Sequence, residues 1–98
     1  MAIPIVVGMV WYKEDQYDRI RESCEDGSNL PKTFAEWLSK ANEGVEYFKS
    51  QGKTIRKVTL DIDEFLAFCR ERNCKVDSKA RNAFVNNSLA ISLGLKKG

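Results

Sequence analysis

The residues of this chain that could perform chemistry are three cysteines and a short run of carboxylates, and its 98 residues include no histidine. Asp61, Asp63 and Glu64 follow a segment that predicts a β-strand. Magnesium-dependent phosphoryl-transfer sites often collect such ligands at a strand end. The same side chains suit a helix start, where carboxylates accept hydrogen bonds from free N–H groups and complement the helix dipole. We favour the capping interpretation and expect no metal and no other cofactor.

The cysteines are Cys24, Cys69 and Cys74, an odd set without paired spacing. This pattern favours free thiols and a reducing compartment, so we expect a cytoplasmic protein. Cys24 and Cys69 fall at apolar helix positions and are predicted core residues. Cys74 is the more exposed candidate, and Arg72 and Lys75 lie close to it in the sequence. Redox sensing at Cys74 is a minor alternative.

The absence of histidine removes the usual general base at neutral pH and the commonest metal ligand. Ser–His and Cys–His nucleophile pairs are excluded with it. The sequence also contains no glycine-rich phosphate-binding loop. The chain is therefore not expected to be an enzyme, and it is expected to have no catalytic, cofactor-binding or metal-binding residue.

Hydrophobic periodicity predicts six elements in the order strand, helix, helix, strand, helix, helix. The first strand is a continuous apolar run in which Gly8 indicates a bulge or a close approach of backbone. Thr33 and Glu36 form a capping box, and Gly52 ends the same helix in a left-handed conformation. The predicted ranges are strands over 3–11 and 54–62 and helices over 13–26, 33–52, 63–73 and 78–93. The fold class is a small two-layer α/β (α+β) domain with a two-stranded sheet per chain.

Eight apolar positions are predicted to share one core, because their spacing places them on one side of each element. They are Phe34, Trp37, Leu38, Phe48, Val58, Leu60, Leu66 and Phe84. Trp11 is also expected inside, whereas Tyr12 and Tyr47 are expected to show an edge to solvent. A chain of this length has no room for a second core, so residues 1–98 are predicted to form one domain with a disordered tail from about residue 94.

Charge distribution and sheet width both bear on partners. Residues 1–52 carry six basic and nine acidic side chains, whereas residues 53–98 carry ten basic and five acidic ones. This asymmetry fits an anionic partner or two halves that neutralise each other, and we favour the second interpretation. A two-stranded sheet also leaves two open edges, one of them on an apolar strand. We therefore expect a homodimer in which one strand meets its own copy across a twofold axis.

Residues 54–93 resemble the ribbon-helix-helix class of DNA-binding domains, in which a strand is followed by two helices. The matching residues are Arg56-Lys57-Val58-Thr59-Leu60, the helix over 63–73, and Asp77-Ser78-Lys79-Ala80-Arg81 at the start of the last helix. The resemblance implies that Lys57 and Thr59 read bases across a dimer of paired strands. It also implies that Ser78, Lys79 and Arg81 lie near the phosphate backbone. If both strands pair within one chain instead, Lys57 and Thr59 belong to an ordinary solvent face.

The expected function is that of a non-catalytic interaction or accessory protein, because catalytic residue types are missing and a chain of this size gains stability from a protein partner. A nucleic-acid-binding regulator is the alternative, and it depends on the resemblance over residues 54–93. The apolar start of the chain is about half as long as a membrane-spanning helix. We expect no membrane association.

Overall fold

The computed structural model describes residues 6–94, so the predicted strand residues 3–5 and the tail beyond residue 94 lie outside the described range. The described elements follow the predicted order of strand, helix, helix, strand, helix, helix. The strands are β1 (Val6–Tyr12) and β2 (Thr54–Leu60), and the helices are α1 (Tyr17–Ser23), α2 (Phe34–Ser50), α3 (Ile62–Arg72) and α4 (Ser78–Ser92). Short 3-10 turns at Glu14–Gln16 and Gly27–Asn29 flank α1, which is therefore shorter than the predicted helix over 13–26.

β1 and β2 form a two-stranded parallel sheet within residues 6–94. The register runs from Val6 opposite Thr54 to Tyr12 opposite Leu60. Parallel strands need a crossover connection, which here contains α1 and α2. The two strands thus pair within one chain, which was the simpler of the two interpretations of the sequence.

Helices cover both faces of this sheet. A Cβ added to Gly8 would lie 3.1 Å from Val85 and 3.2 Å from Leu89, so the glycine allows α4 to approach β1 closely. Met9 points to the other face, since successive strand residues alternate, and its Cε would lie 3.4 Å from a Cβ added to Gly44 of α2. These neighbouring residues of β1 meet different helices, so α2 and α4 pack against opposite faces of the sheet in the predicted α/β domain.

One buried cluster draws side chains from both strands and from α1, α2, α3 and α4. Its members with no exposed area are Ile20, Leu60, Ile62 and Phe65. The predicted core positions that are buried in it are Trp37, Leu60 and Phe84. Those that are partly buried and pack against it are Phe34, Leu38 and Leu66. Phe48 and Val58 are also partly buried, so none of the eight predicted positions is fully exposed.

Aromatic side chains fill the end of the core next to the carboxyl end of β1. The ring centroid of Trp37 lies 4.9 Å from that of Tyr12 and 5.1 Å from that of Trp11, and the rings of Tyr12 and Tyr17 are 5.7 Å apart. Tyr12 is only 3% exposed, so the prediction that it shows an edge to solvent is wrong. Rings from α1 and α2 cover it. The same prediction is confirmed for Tyr47, which is 61% exposed.

Helix starts and ends follow the chemistry predicted from the sequence. The side chains of Thr33, Asp61 and Asp77 each accept a hydrogen bond from the backbone N–H three residues later, at 3.1, 3.1 and 3.0 Å. Gly52 has a φ of 77° and ends α2, as predicted. Asn73 ends α3 with a φ of 52°. Asparagine tolerates this left-handed conformation better than most residues, so the polar residues at these turns define the helix boundaries.

A buried ion pair joins α4 to the segment that follows α1. The guanidinium of Arg81 donates two hydrogen bonds of 2.8 Å, one to each carboxylate oxygen of Asp26. Arg81 is only 6% exposed. The backbone N–H of Glu25 also donates to the carbonyl of Val76 at 2.8 Å, just before α4 begins. The bidentate pair connects residues that are 55 positions apart in the sequence, and the backbone bond joins the same two segments.

The pKa values of both partners reflect this pairing. Burial is the largest single influence on the pKa of Arg81 and by itself would lower it, but hydrogen bonding to Asp26, together with Tyr12 and Cys24, raises it. The hydrogen bond from Arg81 is the main cause that lowers the pKa of Asp26. A lowered carboxyl pKa means that the pair stabilises the fold above the unfolded value of about 3.9. The stabilisation is lost as the pH falls through the folded pKa of Asp26.

Gly27 allows the chain to fold back against α1 immediately after this pair. The residue is buried, and a Cβ added to it would lie 1.7 Å from the carbonyl oxygen of Arg21. The clashing atom belongs to the backbone and cannot rotate away. Only glycine fits this position without moving α1 or the turn.

We predict that Gly27→Ala destabilises the fold by about 3 kcal/mol or more, because backbone has to move to accommodate the methyl group. Gly44→Ala is the matched control, since its Cβ would make an ordinary contact of 3.4 Å and alanine is the better helix former. Urea unfolding measures both variants. Equal midpoints for Gly27→Ala and the wild type would contradict the close approach at Arg21.

A second prediction concerns the buried pair. Asp26→Asn should cost about 3–5 kcal/mol at neutral pH, because it leaves the charge of Arg81 buried without a carboxylate. The difference from the wild type should shrink in acid, where protonated Asp26 no longer carries the charge. Asp63→Asn is the control, since Asp63 pairs with Arg19 at 3.1 Å on the surface. Such exposed pairs contribute about 1 kcal/mol or less. A pH-independent difference for Asp26→Asn would contradict this account.

Candidate functional site

The outer edge of β1 lies along a groove between α2 and α4. The groove has a volume of about 400 Å³. It is lined by Gly8, Met9 and Val10 of β1, Pro31, Trp37, Lys40 and Ala41 from the α2 side, and Asn82 of α4. Alternate residues of β1 face different helices. A groove that contains three successive residues of β1 and parts of both α2 and α4 must therefore run along the free edge of the strand. The groove therefore exposes the side of β1 that does not pair with β2.

The two strands differ in how they present their surfaces. β1 contains no charged residue, and residues 6–11 are all partly buried. β2 has four exposed residues, which are Thr54, Arg56, Lys57 and Thr59. Charged side chains on an edge strand are a common protection against pairing with another chain. By that criterion the edge of β2 is protected and the edge of β1 is open.

The residues implied by the ribbon-helix-helix resemblance do not form one surface. Lys57 and Thr59 are exposed on β2 and share the sheet face of Met9, which is covered by α2. The ammonium group of Lys57 lies 4.3 Å from the ring centroid of Trp11 on that face. Ser78 belongs to α4, which packs against the opposite face. The sheet thus separates Lys57 and Thr59 from the residues at the start of α4, which are Ser78, Lys79 and Arg81.

The residues at the start of α4 also differ in their exposure to solvent. Ser78 and Lys79 are exposed in the first turn of α4, whereas Arg81 is buried and bonded to Asp26. A phosphate could reach the first two side chains without rearrangement. It could reach Arg81 only if the buried ion pair opened.

A basic cleft lies at the start of α4. It has a volume of about 510 Å³ and is lined by Arg72, Cys74, Lys75, Asp77, Lys79, Ala80 and Ala83. Arg72 is positioned by the ring of Phe68, whose centroid lies 4.4 Å from the guanidinium carbon. Asp77 accepts the capping hydrogen bond of α4. Three cations around an apolar floor give this cleft the chemistry of an anion site.

The carboxylates at the end of β2 act as capping and pairing groups. Asp61 accepts hydrogen bonds from Gln16 at 2.9 Å, from the N–H of Glu64 at 3.1 Å and from Lys13 at 3.4 Å. The bond from Gln16 is the largest of the causes that lower the pKa of Asp61 to about 2. Gln16 also accepts from the N–H of Ile62 at 2.8 Å, so it ties the turn before α1 to the start of α3. The capping interpretation is thus confirmed for Asp61.

Residues 6–94 contain no group of three or more cysteine, histidine or carboxylate side chains arranged to hold a metal ion. In the same range the three cysteines are free thiols, with Cys24 and Cys69 buried and Cys74 exposed, as the sequence predicted. The basic cleft and the β1 groove were not identified from the sequence. The sequence signals available were the uncharged run of β1 for the groove and the spacing of Arg72, Lys75 and Lys79 for the cleft. Neither pattern shows which helices lie beside these residues.

Comparisons with known proteins leave the site to be judged on its geometry. Scans against protein-family models, curated proteins and solved structures each found no match to this chain. Among the described residues, no helix combines the length and the apolar character needed to cross a bilayer.

Proposed function

We propose that this chain is a non-catalytic interaction protein that self-associates through the outer edge of β1. The observation that supports this most is the groove along Gly8, Met9 and Val10, where an uncharged strand edge lies open between two helices. Unpaired N–H and C=O groups on such an edge are a template for another strand. The partner in the proposal is β1 of a second copy.

Antiparallel pairing of β1 with its own copy gives an isologous contact with twofold symmetry. The sheet then has four strands in the order β2, β1, β1 and β2, with the protected edges of β2 on the outside. The pairing extends a sheet that is two strands wide within residues 6–94 of one chain. It also removes partly buried apolar side chains of β1 from water.

The rims of the groove fit a second copy. α4 contributes the uncharged Asn82, and among the lining residues within 6–94 only Lys40 of α2 is charged. Since β1 itself is uncharged, Lys40 is the described lining residue that would bring like charges of two copies together. The free thiols also fit a reducing compartment, so the proposal places this dimer in the cytoplasm.

Light scattering at micromolar concentration should give a mass near twice the 11.2 kDa of one chain. Val7→Asp should shift the protein to the monomer, because it places a charge on the pairing strand. Asn82→Arg should do the same from the rim without altering the core, whereas Lys57→Ala on β2 and Asn42→Arg on α2 should leave the mass unchanged. A wild type that remains monomeric would contradict the proposal.

A nucleic-acid-binding role is a second candidate, and the basic cleft is the observation that favours it. Arg72, Lys75 and Lys79 lie together there, beside the exposed start of α4. Binding through several phosphates weakens steeply as salt rises.

Retention on a heparin column, measured against salt, tests this role. The double variant Lys75→Gln, Lys79→Gln should elute at lower salt than the wild type. Lys57→Ala should elute at the same salt concentration as the wild type. An effect of Lys57→Ala alone would point to the face predicted from the resemblance. No retention of the wild type at low salt would exclude a polyanion partner.

A further inference from the structure

The end of α3 brings two cysteines together. The N–H of Cys74 donates to the carbonyl of Cys69 at 3.1 Å, and the N–H of Asn73 donates to the carbonyl of Arg70 at 3.2 Å. With Asn73 in the left-handed conformation, these two bonds define a Schellman motif. In that motif the side chains at the positions of Cys69 and Cys74 characteristically contact each other.

The end of α2 shows the same geometry with other residues. Lys53 donates its N–H to the carbonyl of Phe48 at 3.1 Å, and Gly52 donates to that of Lys49 at 3.0 Å. There the corresponding side chains do meet, since the ammonium group of Lys53 lies 5.3 Å from the ring centroid of Phe48. The motif therefore places side chains five residues apart within reach of each other in this protein.

The two thiols of α3 differ in access. Cys69 is buried at 2% exposure, whereas Cys74 is exposed and lines the basic cleft with Arg72, Lys75 and Lys79. A small molecule that enters the cleft meets Cys74 first. Three cations and the carboxylate of Asp77 line the cleft, and this net positive charge favours an anionic molecule over a neutral or cationic one.

We propose that Cys74 and Cys69 form a dithiol modification site for an anionic low-molecular-mass disulfide such as oxidised glutathione. The thiolate of Cys74 attacks one sulfur of that disulfide, the S–S bond breaks, and one thiolate leaves. Cys69 then loses its proton to solvent and attacks the sulfur of Cys74, which releases the second thiolate. The protein pair is oxidised by two electrons, and the small disulfide is reduced to two thiols.

The order of the two steps follows from the environment of Cys69. Burial, together with hydrogen bonding to Cys74 and the charge of Cys74, raises the pKa of Cys69 to about 11. Cys69 is therefore a protonated, enclosed thiol that does not react first. Once Cys74 carries the adduct, it no longer has a thiolate that accepts the hydrogen bond of the Cys69 thiol or repels its charge, so both effects of Cys74 that raise the pKa of Cys69 disappear.

Cys24 is not part of the site. It is buried, and burial is the largest of the causes that raise its pKa. It lies beside Arg81 in the interior, away from the opening of the cleft. The site is also independent of β1, so it can be tested whatever the oligomeric state.

Reduced wild-type protein is incubated with oxidised glutathione, and the products are identified by intact mass and peptide mapping. The expected product is a Cys69–Cys74 disulfide without a retained glutathione. Cys69→Ala should stop at a stable adduct on Cys74, Cys74→Ser should not react, and Cys24→Ala should behave as the wild type. A wild-type product that keeps glutathione on Cys74, or that is modified first at Cys24, would overturn the proposal.

Specificity for an anion is tested with cystamine, a cationic disulfide. Rates are normalised to those of an unstructured cysteine peptide. Oxidised glutathione should react at least about threefold faster than cystamine on this scale, and Lys75→Gln with Lys79→Gln should abolish the preference. Equal normalised rates in the wild type would show that the cleft does not select its reagent. Peptide mapping of the wild type needs no variant, so a poorly folding Cys69→Ala protein would not obscure the result.

Discussion

Arg81 carries a full charge inside this small domain, and the carboxylate of Asp26 makes that position possible. The two hydrogen bonds of 2.8 Å from Arg81 to Asp26 fix the start of α4 against the segment that follows α1. Removing either partner would leave a buried charge without compensation, which is why the geometry tolerates little change. Gly27 follows directly and turns the chain so closely under α1 that no side chain fits. The ion pair thus fixes the start of α4, and the later turns of the helix pack on the sheet at Gly8.

That placement leads to the open strand edge. With its start anchored, α4 crosses one face of the sheet at Gly8, where Val85 and Leu89 occupy the space of a missing side chain. α2 lies on the other face against Met9. Neither helix closes the groove along the outer side of β1. An uncharged strand between two fixed helices is a surface that a second strand can enter without rearranging the core, and this is the physical basis of the proposed dimer.

Local chemistry made much of the fold predictable. The capping residues Thr33 and Asp61 and the left-handed Gly52 are predictable from the sequence, because each acts within a few residues of itself. Long-range features were not recognised. The ribbon-helix-helix resemblance implies that Arg81 lies near a phosphate at the start of a helix, whereas the structure pairs it with Asp26, 55 residues away.

The same distinction applies to the candidate site. Tyr12 was assigned to the surface because a strand pattern does not reveal which helices close over the strand end. The β1 groove and the basic cleft each combine residues from separate elements, so their existence depends on how the helices pack. The cysteines form an intermediate case. Their exposure was predicted correctly, but the turn that joins Cys69 to Cys74 depends on the conformation of Asn73.

The central claim is that β1 pairs with β1 of a second copy, and isotope-filtered NMR on a mixed sample tests it most directly. Equal amounts of labelled and unlabelled protein are combined, and contacts between copies are recorded selectively. Antiparallel pairing brings opposite Cα atoms to about 4.5–5.5 Å, so contacts between α-protons of β1 residues in the two copies are expected near Met9. Contacts between copies that involve only β2 or the helices, or no contacts at all, would contradict the account.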